Sequence, residues 1–298
     1  MTDSCIAVVT LAHGRHEHLA AQMEAAGRST LLPDLFVVAA MDDPELRSVV
    51  DRVGATTPAA RHTRVVSVPG GASGLPLARA RNMAAAAAVG DGADVLVFLD
   101  VDCLPSSQLV GRYAEAVASS DGPGARPRVF AGTVHYLPAR PAGQERYSPG
   151  DLLASTAHPA RPMPGLDEIR VAENLMMFWS LSFAMSTGDW SAVGGFDEDY
   201  EGYGGEDTDY AMRLSAHGGR LYWVGGAACY HQHHEVEDPP VRHVADIVNN
   251  SNRFRARWGY FPMEGWLSEF AARGLIRRTG SPPTWHLTEA GRNTARTG

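Results

Sequence analysis

The 298-residue chain contains no lysine, so all 26 of its permanently cationic side chains are arginine. That absence excludes Schiff-base chemistry and the phosphate-binding lysine of P-loop nucleotidases. Any polyphosphate handled here must be met by arginine, backbone amides or a metal ion. Cysteine is scarce as well. Cys5, Cys103 and Cys229 are scattered, without metal-ligand spacing or a disulfide framework, which fits a reducing, cytoplasmic setting. Cys103 reads as a core or turn residue. No apolar run reaches the length of a membrane span, and Met1-Thr-Asp-Ser-Cys lacks the basic-then-apolar order of a signal peptide, so no stable membrane insertion is expected. A net charge of −8 weighs against a protein that coats nucleic acid or anionic lipid. No Gly-x-Gly-x-x-Gly turn follows the first expected strand, which removes the dinucleotide-binding signature.

What is present is an alternation of strand and helix. Apolar runs at 6–11, 35–40, 65–68 and 95–99 read as strands, with helices expected at 17–26 and in the alanine-rich stretch 77–89. Further strands are expected at 129–136, 181–185 and 221–224. This order implies an α/β fold with a mostly parallel, doubly wound sheet flanked by helices. The stretch 138–164, rich in proline and glycine, reads as a long loop.

Three segments carry the chemistry. The first is Val-Leu-Val-Phe-Leu-Asp-Val-Asp at 95–102, a strand buried on both faces that ends in two acids. At strand period two, Asp100 and Asp102 point to one side, where they can address a single cation or polyanion. The second runs from Gly194 to Leu214, where glycine pairs bracket an acidic, aromatic loop leading into a helix. Glu206, Asp207 and Asp209 stand at that helix start. Asp209 reads as a first-turn acid complementing the helix dipole. Asp207, which follows Gly204 and Gly205, is open to a general-base role toward a bound hydroxyl. The third is Cys229-Tyr-His-Gln-His-His-Glu235, in which imidazole and carboxylate suit Mn²⁺ better than Mg²⁺, whose preference is for oxygen.

In this order the three segments resemble the metal-dependent nucleotide-sugar glycosyltransferases of the GT-A fold. The likeness is to family 2 enzymes and to the C-terminal region of β-1,4-galactosyltransferases and polypeptide N-acetylgalactosaminyltransferases, and it covers roughly residues 5 to 260. It implies a Rossmann-like GT-A domain, with Asp100-Val-Asp102 as its DxD motif and Asp102 holding the metal. Gly204-Gly-Glu-Asp207 resembles the family's Trp-Gly-Gly-Glu-Asp segment, with Tyr203 in place of the tryptophan. Asp207 would then be the inverting base. Glu206, Gly205, Tyr203 and Trp179 would line the acceptor or sugar. The metal histidine would be His231, with His233 or His234 as alternatives and Asp100 as a further ligand. Arg81 and Asn82 in Arg79-Ala-Arg-Asn82, together with Arg15, Asp42 and Asp100, would meet the donor nucleotide.

The expected activity is transfer of a sugar from a nucleotide-sugar, a UDP-sugar, to an acceptor hydroxyl with inversion, dependent on Mn²⁺ or Mg²⁺. The acceptor (small molecule, glycan or peptide) and homodimer formation stay open. Two other readings are a metal-dependent nucleotidyltransferase and a non-catalytic sugar-nucleotide-binding protein. The former should carry a basic, glycine-rich loop near its first strand, where only His13-Gly14-Arg15 occurs. Residues 1–262 are expected to form the GT-A domain and 263–298 a helix-and-hairpin extension. The end of that extension resembles part of a winged helix, but without the preceding helices and on an acidic chain, so no nucleic-acid partner is expected.

Overall fold

The computed structural model describes residues 4–71, 74–119, 127–141, 143–235 and 237–297. Its first half alternates as the sequence pattern requires: β1 (Ile6–Ala12), α1 (His16–Ala26), β2 (Leu35–Met41), α2 (Leu46–Gly54), β3 (His62–Val68), α3 (Leu77–Gly90) and β4 (Val95–Leu99). Every residue of β1, β2 and β4 is buried, because helices cover both faces of the sheet. The half-exposed β3 is the edge. Helix α2 is not among the expected elements, although Leu46, Val49, Val50 and Val53 give it a one-sided apolar stripe.

β5 (Cys103–Pro105), α4 (Leu109–Ala118) and β6 (Arg128–Tyr136) follow. The expected long loop contains a short helix, α5 (Pro149–Leu153), and β7 (Thr156–Ala157); β8 (Ile169–Val171) comes after it. Then come β9 (Ser182–Ser186), α6 (Thr187–Val193), α7 (Glu206–Ala216) and β10 (Arg220–His231). The sheet order is β3-β2-β1-β4-β9-β6-β10-β5, with β7 and β8 paired at its side. Strands β3, β2, β1 and β4 are parallel, and β9 is inserted antiparallel between β4 and β6. Apolar residues of α1, α2 and α4 pack on one face of the sheet, those of α3, α6 and α7 on the other. The domain is therefore doubly wound, with the mostly parallel sheet expected, interrupted by the antiparallel β9.

The chain closes with α8 (Val244–Trp258), α9 (Glu264–Ala272), a hairpin of β11 (Ile276–Thr279) and β12 (Thr284–Leu287), and α10 (Glu289–Thr297). This end has its own apolar cluster, in which Val244, Ile247 and Val248 of α8 meet Leu267, Phe270, Leu275 and Ile276. The expected helix and hairpin are thus packed on α8. Among the described residues no helix is long and apolar enough to cross a membrane.

Candidate active site

The C-terminal ends of β1, β2 and β4, the end of β10 and the start of α7 supply the site. β4 stops at Leu99, and Asp100 to Asp102 form a turn closed by the Cys103 N–H donating to the Asp100 carbonyl (2.8 Å). Strand alternation therefore no longer applies, and the two acids separate instead of sharing one partner.

Asp102 turns toward β10. Its Oδ2 lies 3.5 Å from His231 Nε2 and 3.3 Å from His234 Nε2, and one ligand atom from each of the three residues falls within 4.8 Å of the others. Burial pushes the Asp102 carboxyl upward, but the hydrogen bond from His234 and the nearby His231 charge reverse this, holding it below the ordinary value. The same hydrogen bond raises the His234 imidazole. Asp102 Oδ1 is buried with no hydrogen-bond partner among the described residues, a costly state for a carboxylate oxygen unless a cation meets it. Two imidazoles and a carboxylate form a mixed nitrogen and oxygen donor set that fits Mn²⁺ better than Mg²⁺.

His233 is not part of this group. β10 ends at His231, so the residue two further on does not return to the same side. His233 is exposed, and its backbone N–H donates to the Tyr147 hydroxyl (3.0 Å). Asp100 also lies outside the group. Its Oδ1 accepts from Arg81 Nη2 at 3.1 Å, while Arg81 Nη1 donates to Glu206 Oε1 at 3.0 Å. Arg81 is buried, and its guanidinium also lies over the Phe196 ring. One arginine thus ties the end of β4 to the start of α7. Desolvation raises the Asp100 carboxyl, with Arg81 opposing. Glu206 Oε2 is buried and unpartnered among the described residues.

Asp207 is partly exposed beside Glu206, and its Oδ1 accepts from the Thr208 N–H (2.7 Å). Desolvation first, then the Glu206 charge, lifts its carboxyl to about 7, with Arg81 opposing. The turn before α7 needs its glycines: Gly202, Gly204 and Gly205 have φ of 70°, 91° and 97°. A side chain at Gly202 would collide with the Asp246 carboxylate, which accepts the Tyr203 N–H at 3.2 Å. Tyr203 is 40% exposed and stacks on His243, with ring centroids 4.8 Å apart. Desolvation, then the charges of Asp207 and Glu206, pushes its phenol well above the usual range.

Asp209, read from sequence as a first-turn acid, is a fully buried anchor. It accepts from Arg213 Nε, Arg257 Nη1 and Trp258 Nε1, each at 2.9 Å, and so locks α7 onto α8. Asn82 has a comparable task. Its amide donates to the Phe196 carbonyl (2.9 Å) and Glu198, and accepts the Phe196 N–H (2.8 Å), so it holds the loop before α7 and not an open pocket. Arg15 and Asp42 stand exposed at the ends of β1 and β2, both in the left-handed region with φ of 50° and 47°. The Arg15 charge reaches Asp102. Trp179 donates from Nε1 to the Met176 carbonyl (3.1 Å), edge-on to His158 at 4.9 Å. A series of rings, His231, Tyr136, His158 and Trp179, runs from the histidine group to this tryptophan. The sequence pattern gave no sign of Asp246, Asn250 or Arg257 as supports. They come from a helix far along the chain, and only their contacts mark them.

Known proteins resemble this chain over the same regions. A family model described as the N-terminal domain of galactosyltransferase matches residues 161–235, which include α7 and the β10 histidine. Validoxylamine A glucosyltransferase of Streptomyces hygroscopicus subsp. limoneus is 27% identical over 269 residues, 84% of this chain and 56% of that protein. Its counterpart in subsp. jinggangensis (strain 5008) is 29% identical over 201 residues, 61% and 44% of the two chains. The chain thus spans about half the length of the curated relatives it matches. Among solved structures, GalNAc-T7 with UDP, GalNAc and Mn²⁺ superposes with a TM-score of 0.55 at 14% identity, covering 91% of this chain and 57% of that one. The Staphylococcus aureus TarS 1–349 complex with UDP gives 0.53 at 12% identity, covering 91% and 71%. At such identities the likeness carries the fold. The chain has the GT-A architecture.

Proposed function

We propose that this chain is a Mn²⁺-dependent, inverting glycosyltransferase that moves a sugar from a UDP-sugar to an acceptor hydroxyl. The observation that carries the reading is one juxtaposition. Asp102, His231 and His234 converge on one point, and Arg81 ties Asp100, two residues before Asp102, to Glu206 at the start of α7. Both sequence relatives are glucosyltransferases, which supports a sugar donor.

A divalent cation held by Asp102, His231 and His234 would act as Lewis acid for the charge that builds on the donor diphosphate, a task no lysine is present to share. Asp207 takes the proton of the acceptor hydroxyl as the new bond forms. With its carboxyl raised to about 7, it is partly ionised at neutral pH, and the carboxylate is a stronger base than an ordinary one. Glu206, fixed through one oxygen by Arg81, offers the other to a sugar hydroxyl. Tyr203 and Trp179 face the acceptor or the sugar, and Gly205, buried against Tyr200 and Asn250, shapes the turn that presents Glu206 and Asp207 to it. Arg15 and Asp42 bind toward the nucleotide. Arg81 and Asn82 position their partners: Arg81 spaces the acids at the end of β4 and the start of α7, and Asn82 holds the loop that precedes Asp207. A base on the face opposite the leaving group gives a single displacement with inversion. Residues 263–298 serve as an extension that braces the Tyr203 turn, and the free cysteines suit a cytoplasmic protein.

Calorimetry of a panel of UDP-sugars with and without Mn²⁺ tests the reading. One donor should bind only with metal to the wild type and not to Asp102→Asn, and proton NMR should show an inverted anomeric centre in the product. Metal-independent donor binding, unchanged in Asp102→Asn, would overturn it.

A further inference from the structure

β5 is the last strand in the sheet order, and α1 packs against it. On the side facing β10, the Gln232 N–H donates to the Asp102 carbonyl at 2.7 Å. Bonds in an antiparallel pair join every second residue, so Cys103, which stands opposite His231, turns its carbonyl away from β10. The turn that presents Asp102 to His231 and His234 thus ends in an edge carbonyl that the ladder cannot satisfy.

Gln22 satisfies it. This residue of α1 is fully buried, and its Nε2 donates to the Cys103 carbonyl at 2.9 Å and to the Asp100 carbonyl at 2.7 Å. The two acceptors flank Asp102. The Asp100 carbonyl is also the one that accepts the Cys103 N–H, so a single amide group grips the turn at both its ends. Both partners are carbonyl oxygens, and only the NH₂ group of the carboxamide can face them. Its Oε1 is buried without a hydrogen-bond partner among the described residues. A buried acceptor in that state costs free energy that an apolar side chain would not incur, so what this position uses is the donor. A second glutamine ties the other ligand-bearing segment to the same helix. Gln232, next to His231, donates from Nε2 to the His18 carbonyl of α1 at 3.2 Å.

We propose that Gln22 is a positioning residue of the metal centre, holding the Asp100–Cys103 turn so that the Asp102 carboxylate stays against the two imidazoles. This rests on the metal-dependent reading above. Gln22 acts on the backbone on each side of Asp102, and its effect reaches a cation only through the place of that carboxylate. Outer groups that fix a ligand spare it reorganisation when the metal binds. Without Gln22 the turn is still tied by the Gln232 N–H and by the Asp100 N–H, which donates to the Leu181 carbonyl at 2.9 Å. The fold should therefore persist while the carboxylate loses its register.

The test titrates Mn²⁺ alone into the metal-free protein by calorimetry, with melting in EDTA to show that each variant is folded. Gln22→Met keeps the length of the side chain and removes the donor. It should weaken Mn²⁺ binding about 10–100-fold, the range for loss of a ligand's supporting partner. Met23→Leu, at the next and equally buried position of α1, alters packing without touching the turn and should keep the wild-type affinity. Should Gln22→Met fail to fold, Gln22→Asn decides, since its carboxamide falls one methylene short of the two carbonyls and the same loss is expected. Wild-type Mn²⁺ affinity in the folded Gln22 variant overturns the proposal. So does a loss that Met23→Leu matches, because affinity would then follow helix packing. Asp102→Asn separates this proposal from the reading beneath it. If the wild type binds Mn²⁺ no better than Asp102→Asn, the metal centre itself is wrong. If Asp102→Asn loses binding and the Gln22 variant does not, only the role of Gln22 falls.

Discussion

Asp100 and Asp102 stand two positions apart and live in opposite surroundings. Asp102 meets two imidazoles, keeps one oxygen without a hydrogen-bond partner among the described residues, and is held below the ordinary carboxylate range. Asp100 meets a buried guanidinium that it shares with Glu206, and its carboxyl is raised. The first cluster has room for a cation. The second already contains its own, and the acid beyond it, Asp207, is left to hold its proton until about neutral pH. The difference teaches that a carboxylate is made into a ligand or a base by its counter-charge. Arg81 supplies that charge on one side and takes no part on the other.

The largest expected effect falls on the base side. Asp207→Asn should lower turnover by about 10²–10⁴-fold with donor affinity near wild type, read from steady-state kinetics and calorimetry. Retention of activity within a few-fold would remove Asp207 from the chemistry. On the ligand side, His234→Ala should weaken Mn²⁺ affinity at least as much as loss of a ligand's supporting partner, about 10–100-fold, while His233→Ala should leave it unchanged. Equal losses would mean that the geometry around β10 is not the one that binds metal.

Smaller effects sharpen the contrast. Asp209→Ala leaves Arg213, Arg257 and the Trp258 N–H without their shared acceptor. Since Arg257 remains partly in water, the cost should be about 1–3 kcal/mol in urea unfolding. The acid Asp207 also predicts two opposite pH trends. Activity should rise with pH to a plateau above about 7, as the raised carboxyl ionises. Stability runs the other way: a carboxyl whose folded value exceeds its unfolded one stabilises fully below the ordinary carboxylate range, and that contribution is lost as pH rises through about 7. In EDTA, the melting temperature of the wild type should therefore fall more between pH 5 and 8 than that of Asp207→Asn. Parallel melting curves for the two proteins would show that Asp207 is not raised.

Much of this was legible before folding, and unevenly so. Strands β1, β2 and β4 announce themselves because burial on both faces demands unbroken apolar runs. The glycine turn before Asp207 is legible because only glycine tolerates three φ values between 70° and 97° in four residues. The antiparallel β9 was not, since an apolar strand carries no mark of its direction. Nor was the choice among the three histidines, because strand periodicity ends at His231 and says nothing beyond it.

By itself, then, the sequence determined the elements and the residue types at the site: the acids after β4, the acids after paired glycines, the imidazoles after β10, and arginine as the sole permanent cation. Local patterning suffices for these because backbone conformation and burial act over a few residues. Only the tertiary structure decided which acid meets which charge. Arg81 and Glu206 are 125 positions apart, Asp102 and His234 lie on separate elements, and Trp266 reaches Tyr203 from the far end of the chain. Electrostatic and packing energies depend on distance in space, and sequence spacing carries that information only as far as one helix or strand extends.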